Sequence, residues 1–285
     1  MPAVTVCIPT YEPHPAHLKA AVDSVFAQTV TDWELIIHDD ASTSNVEEMI
    51  RLFLKDPRVK FFQSTKRLGI GGNWNATMRR GSAPFVAYLF QDDLWKPTYL
   101  EKSLKILQSK PDIGFVAANH SYRIEGASAA AETGIYKEVE DLRRSVMKEG
   151  QIHRADFLRM WIEQGLRPNL IGEPSFVVLR RSLMENVGPF LEDMQQGLDA
   201  EYWIRCLLKS DGYWIADDLG MFRVHASGAT AMNEESGAGR TDRLRMFKSL
   251  IARLPEGEIK TLAKKVRRRE TLKMVGKFLR KTTGL

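Results

Sequence analysis

Cysteine is scarce in this sequence: two among 285 residues, Cys7 and Cys206, each inside an apolar run. Two isolated thiols make no disulfide framework, and a cysteine metal site needs clustered ligands, so both are expected to be buried and inert. Long apolar runs are absent too. No stretch of about 18 uninterrupted apolar residues occurs, which excludes a membrane-spanning helix. Met1 to Pro9 has neither a basic segment nor a long apolar core, so no secretory signal is expected and cytoplasmic residence is the default. A P-loop is missing. The closest approach to a dinucleotide loop, Gly69-Ile70-Gly71-Gly72-Asn73-Trp74, has Trp74 where the third glycine belongs, and it reads as a loop feeding a helix N-terminus.

What is present fits an ordinary α/β protein: 44% apolar and 27% charged residues, in a chain long enough for one large domain or one with an appendage. The net charge of +5 is uneven. Between Glu258 and Lys281 ten Lys or Arg stand against two Glu, a surplus of eight that leaves the remainder at −3.

Strand and helix patterns alternate over the first 118 residues. Val4–Ile8, Trp33–His38, Val59–Phe62, Phe85–Phe90 and Ile113–Ala118 read as buried strands, rich in β-branched and aromatic residues. Between them, segments from Pro15, Val46, Asn73 and Thr98 carry helical spacing. Such alternation implies right-handed βαβ units and a mainly parallel sheet, whose ligands bind beyond the carboxyl ends of the strands. From Ser121 to Gly150 the pattern weakens, with a loop tip at Ala127–Ala131 and a short helix at Val139–Met147. Helices at Ala155–Gln164 and Leu198–Lys209 follow, with strands at Ser175–Leu179, Tyr213–Ala216 and Met221–Val224. Glu234–Gly239 reads as a loop or linker.

Two aspartate pairs fall at strand ends. Asp92-Asp93 are adjacent carboxylates that repel unless solvated or neutralised, and a divalent cation carrying a diphosphate would neutralise them. A solvated turn capping the next helix is the plain alternative. Asp39-Asp40 suit hydrogen bonds from a nucleobase or ribose, or an Asx turn with Ser42 and Ser44. Asp199 and Glu201 open a helix at a spacing that points them to different faces, so one of them at most serves a given site, as a general base or as a cap. His225 ends a strand within reach of a metal or phosphate, or serves structure alone.

In order along the chain, these residues resemble the family 2 glycosyltransferases of GT-A fold. Val4–Pro9 with Tyr11 is similar to the opening strand ending in P-x-Y/F-N, and Ser24–Thr29 to the S-I/V/L-x-x-Q-T helix end. Asp39–Ser42 stands where the family has D-D-G-S, and Gly69–Asn75 resembles its glycine- and asparagine-bearing loop. Gln91-Asp92-Asp93 with Trp95 and Pro97 corresponds to the metal-binding D-x-D region, Val187–Phe190 to V-G-x-F, and Arg223–His225 to a late R-x-H. Glu12 replaces the usual Asn, Ala41 the usual Gly, and Phe90 the first Asp of D-x-D-D. The likeness spans residues 3 to 230.

The resemblance implies a GT-A type Rossmann-like mixed sheet, mainly parallel and flanked by helices, over residues 1–235. It implies an inverting, metal-assisted transfer from a nucleoside-diphosphate sugar, UDP by default, to a hydroxyl of a glycan or lipid-linked acceptor in surface polysaccharide synthesis. Pro9, Tyr11, Asp39, Asp40, Asn73 and Asp92 are then expected at the nucleotide, Asp93 and His225 at Mn²⁺ or Mg²⁺, and Asp199 as the base. Glu173, Trp95 and Trp203 are candidates for touching sugar or acceptor, with core packing the plain reading of both tryptophans.

Residues 236–285 form a basic helical tail. Ile259, Leu262, Ala263, Val266, Leu272, Val275, Phe278 and Leu279 keep roughly helical spacing, with Lys and Arg on the other face. That pattern suits an interfacial helix on the anionic inner face of the plasma membrane, or a helix packed on the domain, including at a homodimer seam. It lacks base-reading or stacking groups, so nucleic acid is not an expected partner. Two other functions fit an α/β chain of this kind. A sugar nucleotidyltransferase would want a glycine-rich basic loop after the first strand, where Thr10-Tyr11-Glu12-Pro13 stands; a non-catalytic nucleotide- or carbohydrate-binding protein would have no need of Asp93 and Asp199.

Overall fold

The computed structural model describes residues 1–125, 129–194, 196–225 and 238–283. Its first half is the expected alternation. Strands β1 (Val4–Thr10), β2 (Trp33–Asp39), β3 (Val59–Gln63) and β4 (Phe85–Tyr88) are parallel, joined through α1 (Pro15–Phe26), α2 (Val46–Ile50) and α3 (Gly69–Arg79). β1 is buried along its whole length because the sheet is covered on both faces: Val4, Val6 and Ile8 point into the layer with α1 and α4 (Tyr99–Ser109), and Cys7 into the opposite one. Both thiols are buried and free, and burial pushes each of them up, which keeps them protonated and inert.

The second half departs from simple alternation. A two-residue β5 (Leu94–Trp95) precedes α4, and β6 runs from Ile113 to Glu125, well past Ala118. The two short strands expected after Tyr213 are one, β9 (Asp211–His225), paired in parallel with β6 as far as Glu125↔His225. β8 (Val177–Arg180) inserts antiparallel between β4 and β6, and β7 (Gly150–Ile152) pairs with β9, giving nine strands in the order β3-β2-β1-β4-β8-β6-β9-β5 with β7 beside β9. α5 (Ala129–Val146) begins ten residues before the expected helix; of the expected loop tip, residues 127–128 lie outside the described residues. Helices α6 (Arg154–Glu163), α7 (Arg181–Val187) and α8 (Leu198–Leu207) back the sheet.

Several motif residues act as ties between elements. Gln28 donates to the carbonyls of Ser24 and Lys96 and accepts from Leu100 N–H, pinning the end of α1 to the start of α4. Asn75 pairs with both backbone groups of Phe190, at 2.8 and 2.9 Å. Arg205, ion-paired to Glu201 at 2.9 Å, donates to the carbonyls of Val187, Gly188 and Pro189. Of the two acids in this helix, Glu201 is therefore structural.

The tail is two helices, α9 (Ala238–Arg253) and α10 (Glu258–Thr283); residues 234–237 of the expected linker lie outside the described residues. Met246, Phe247, Leu250, Leu254, Ala263 and Val266 share one buried cluster with Trp161 and Trp203, so the core does not stop at residue 235. Leu272 and Val275 of the expected apolar stripe are instead 64% and 50% exposed, while the side chains of Phe278 and Leu279 lie outside the described residues. Among the described residues no helix is long and apolar enough to cross a membrane.

Candidate active site

The carboxyl ends of β1, β2 and β4 meet in a dense hydrogen-bond web. Asp39 is fully buried and accepts from four donors: Thr10 Oγ1 (3.1 Å), Ser42 Oγ (2.5 Å), Ser42 N (2.9 Å) and Gln63 Nε2 (3.0 Å). Asp40 accepts from the N–H groups of Leu68 (2.6 Å) and Gly69 (2.9 Å), where α3 begins four residues before the expected start at Asn73. A carboxylate there satisfies two amides that the helix itself leaves open. Asn73 donates to Thr10 O and contacts His38 Nδ1 at 2.8 Å. Pro9 is buried within β1. Four of the residues expected to touch a nucleotide thus have their polar groups or surfaces taken up inside the protein, and they build the floor of the site.

Tyr11 is the exception, 37% exposed, with the Arg67 guanidinium 3.9 Å from its ring centre. Its backbone is held by Gln91, which accepts from Tyr11 N–H at 2.9 Å and donates to Tyr11 O at 3.1 Å. Two residues in the neighbouring turns adopt positive φ. Ala41 takes φ +58° where glycine is usual, a conformation that costs an L-residue about 1–2 kcal/mol. Glu12, at φ +43°, offsets its own strain by accepting from Thr43 N and Oγ1 at 2.7 and 2.9 Å.

The two aspartates after β4 lie in different surroundings. Asp93 is fully buried: its Oδ2 accepts from Ser175 Oγ (2.5 Å) and its Oδ1 from Arg223 N–H (3.1 Å). Burial, then the charge of Asp92, pushes its carboxyl well above the usual range. Asp92 faces outward and meets His225 Nε2 at 2.8 Å, the two side chains being 24% and 22% exposed. The hydrogen bond to Asp92 holds the His225 imidazole above its ordinary value. Around them stand His17, Glu125 and Arg223, with Glu125 paired to Arg223 and 3.5 Å from His17. Among the described residues no three His, Cys, Asp or Glu side chains converge to hold a metal alone. One carboxylate and one imidazole would suit a divalent cation that drew its remaining ligands from elsewhere, and such an ion would supply Lewis-acid charge stabilisation there. Asp92 with His225, rather than Asp93, is the pair that fits.

On the other side of β8, Asp199 sits half-buried in the first turn of α8. Its Oδ2 accepts from Asn169 Nδ2 and its Oδ1 from Ala200 N–H, both at 2.7 Å. Burial raises its carboxyl to about 6. Asn169 is fixed in turn by Gly172, accepting from its N–H (3.1 Å) and donating to its carbonyl (2.9 Å). Glu173 follows, 21% exposed, and its negative charge raises both Asp93 and Asp199. Glu173 thus lies within electrostatic reach of both Asp93 and Asp199.

Trp95 and Trp203 do not offer a ring to a sugar. Both are buried, and their indole N–H groups donate to Ser175 O (2.5 Å) and Gly172 O (2.8 Å), so they support the residues that face the site. Residues not singled out from the sequence include Arg67, Gln91, His120, Arg143 and Asn169; each acts through a partner distant in the chain, and only the x-position Gln91 lay inside a motif.

Comparison with known proteins agrees with this geometry. The description "Glycosyl transferase family 2" matches residues 5–165. The chain is 26% identical over 242 residues, 84% of its length and 71% of the relative's, to the GalNAc(5)-diNAcBac-PP-undecaprenol beta-1,3-glucosyltransferase of Campylobacter jejuni. Its fold resembles residues 1–349 of S. aureus TarS in complex with UDP-GlcNAc, with TM-score 0.68 and 13% identity over 95% of this chain and 72% of that one. It also resembles the mannosyltransferase PcManGT of Pyrobaculum calidifontis in complex with GDP-Man and Mn²⁺, with TM-score 0.63 and 19% identity, covering 94% and 69%. These likenesses set aside the nucleotidyltransferase and binding-protein readings. The chain belongs to glycosyl transferase family 2, a glycosyltransferase of GT-A fold.

Proposed function

We propose that this enzyme moves a sugar, with inversion, from a UDP-sugar to a hydroxyl of a lipid-linked glycan, assisted by Mn²⁺ or Mg²⁺. The observation that carries the proposal is Asp199: a carboxylate at the start of α8, oriented by Asn169, raised to about 6 and close enough to Glu173 to feel its charge. At neutral pH it is ionised yet basic enough to take the proton of an attacking hydroxyl. A single base on the acceptor side suits direct displacement from the face opposite the leaving diphosphate. Tyr11, beneath Arg67, offers an aromatic face to the nucleobase, and Glu173 accepts hydrogen bonds from sugar hydroxyls. When bound at Asp92 and His225, the cation offsets the charge of the departing nucleoside diphosphate.

UDP and a lipid-linked acceptor are supported by the ligand of TarS and by the undecaprenol compound in the name of the Campylobacter relative. The test is thermal: UDP, GDP and dTDP are titrated with and without Mn²⁺. UDP raising the melting midpoint only with Mn²⁺ is the expected result, and no shift with any nucleotide would overturn the donor assignment.

We further propose that α10 rests on the anionic inner face of the plasma membrane. Lys264, Lys265, Arg267 and Arg268 are exposed, and Leu272 and Val275 stand open beside them. Cations flanking exposed aliphatics match anionic headgroups over acyl chains. Flotation with phosphatidylglycerol vesicles should recover the protein, and Arg267→Glu with Arg268→Glu should release it. Equal recovery with neutral phosphatidylcholine vesicles would sink the idea.

A further inference from the structure

Arg143 is a cation in an unfavourable place. It projects from α5 into the interior with 2% of its surface exposed. A guanidinium buried this way is tolerated only against compensating charge. Among the described residues its direct contacts carry none: Nη1 lies 3.3 Å from both His120 Nε2 and Tyr122 Oη, Nη2 donates to Asn169 O at 3.4 Å, Nε makes no hydrogen bond, and the guanidinium stands 5.8 Å from the Trp214 ring centre.

The compensating charge is Glu173, one residue removed. Its Oε2 lies 2.9 Å from the same His120 Nε2 that Arg143 approaches, makes no hydrogen bond of its own, and belongs to a cluster whose imidazole is stacked 4.0 Å from the Phe176 ring. Gly172, at φ +104°, takes a backbone conformation that an L-residue rarely adopts, and it lies against Arg143 Nη2 and His120 Cε1. His120 Nε2 therefore faces a carboxylate and a guanidinium at once. It can donate to the first or accept from the second, but one nitrogen cannot do both.

We propose that Arg143 is the permanent counter-ion of Glu173, keeping the intervening His120 neutral, so that the cleft presents a carboxylate to sugar hydroxyls at every working pH. Were the positive charge supplied by His120, it would come and go across the physiological range. An arginine does not titrate there. Burial lowers His120 first, and the Arg143 charge lowers it further. Burial raises the Glu173 carboxyl, while His120 and then Arg143 lower it; with His120 neutral, the Arg143 charge is the one that remains. The other titratable groups facing this cluster are Tyr122 on β6, held protonated by burial, Asp93, and Asp199 on α8. Of these Asp199 changes charge near neutrality, and Arg143 keeps Glu173 ionised while it does so. A carboxylate fixed in the ionised form is an acceptor only, which selects ligands with adjacent hydroxyl donors. Arg143 is thus a positioning residue, and its role rests on the reading of Glu173 as facing the substrate.

The test needs no ligand. The six histidine Cε1–H signals are followed by NMR between about pH 4 and 9, with His120 assigned through His120→Gln. In the wild type His120 should titrate below the ordinary histidine range. In Arg143→Met its curve should move upward, and Arg143→Lys should return it. His120 titrating at or above the ordinary value in the wild type would overturn the proposal, and so would an unmoved curve in Arg143→Met. If Arg143→Met fails to fold, the wild-type curve still decides. Glu173→Gln is assayed separately, with the nucleotide sugar whose nucleotide raises the melting midpoint. Unchanged KM and kcat there would remove Glu173 from the substrate, and the His120 curves would still judge the counter-ion.

Discussion

Asp199→Asn is expected to lower kcat by about 10²- to 10⁴-fold, the usual contribution of a positioned general base, while nucleotide binding and the melting midpoint stay close to wild type. The carboxamide keeps the shape of the side chain and still accepts from the Ala200 N–H, but its amino group meets the Asn169 Nδ2 donor, so any fall in midpoint is read beside the loss of the proton acceptor. In the wild type kcat/KM should fall on the acid side with a midpoint of about 6, because the active form is the ionised one. Unfolding is separable from this loss. A carboxyl raised from 3.8 to about 6 binds its proton more tightly in the folded state, so Asp199 adds stability as pH falls through that window. A pH–rate profile beside melting curves at the same pH values measures both. Wild-type kcat in the Asn variant would remove Asp199 from the chemistry.

The aspartates after β4 should separate just as sharply. Asp92→Ala is expected to abolish the Mn²⁺-dependent part of the UDP-induced melting shift and to reduce turnover by on the order of 10²-fold or more, since a Lewis acid supplies several kcal/mol of charge stabilisation. Its ligand-free midpoint should hardly move, because Asp92 is a quarter exposed. Asp93→Ala should do the reverse. It leaves the Ser175 hydroxyl and the Arg223 N–H without their acceptor inside the core, a loss of about 2–3 kcal/mol in chemical denaturation. A stable Asp93→Ala protein that no longer responds to Mn²⁺ would return the metal to Asp93.

That reversal shows where the sequence stops being readable. Adjacent carboxylates look equivalent in a string of letters; which one points outward depends on how the chain turns after Tyr88, and on Ser175 and Arg223, which lie 82 and 130 residues away. The parallel half of the sheet was legible because each βαβ unit is local and its strands are buried on both faces. Asp199 was legible as an acid opening a helix, although its pKa rests on burial and on Asn169, neither visible in the spacing. Asp39 and Asp40 were rightly placed at the end of a strand, whereas Asn73 lies inside α3, and the hydrogen bonds of all three tie neighbouring segments together. His120 and Arg143 carried no signal at all, since a histidine inside a strand and an arginine inside a helix are ordinary.

The insertion of β8 between β4 and β6 governs how the chain can come together during synthesis. Val86 pairs with Leu179 and Val116 with Val178, so the strand that completes the middle of the sheet emerges some 90 residues after β4. Until then the edges of β4 and β6 lack that partner, and closing them costs a long loop. Unpaired edges of this kind invite pairing with other chains. Folding should therefore be slow and prone to aggregation until β8 and β9 have left the ribosome, and fragments ending before β8 should leave one edge of β4 and both edges of β6 unmatched.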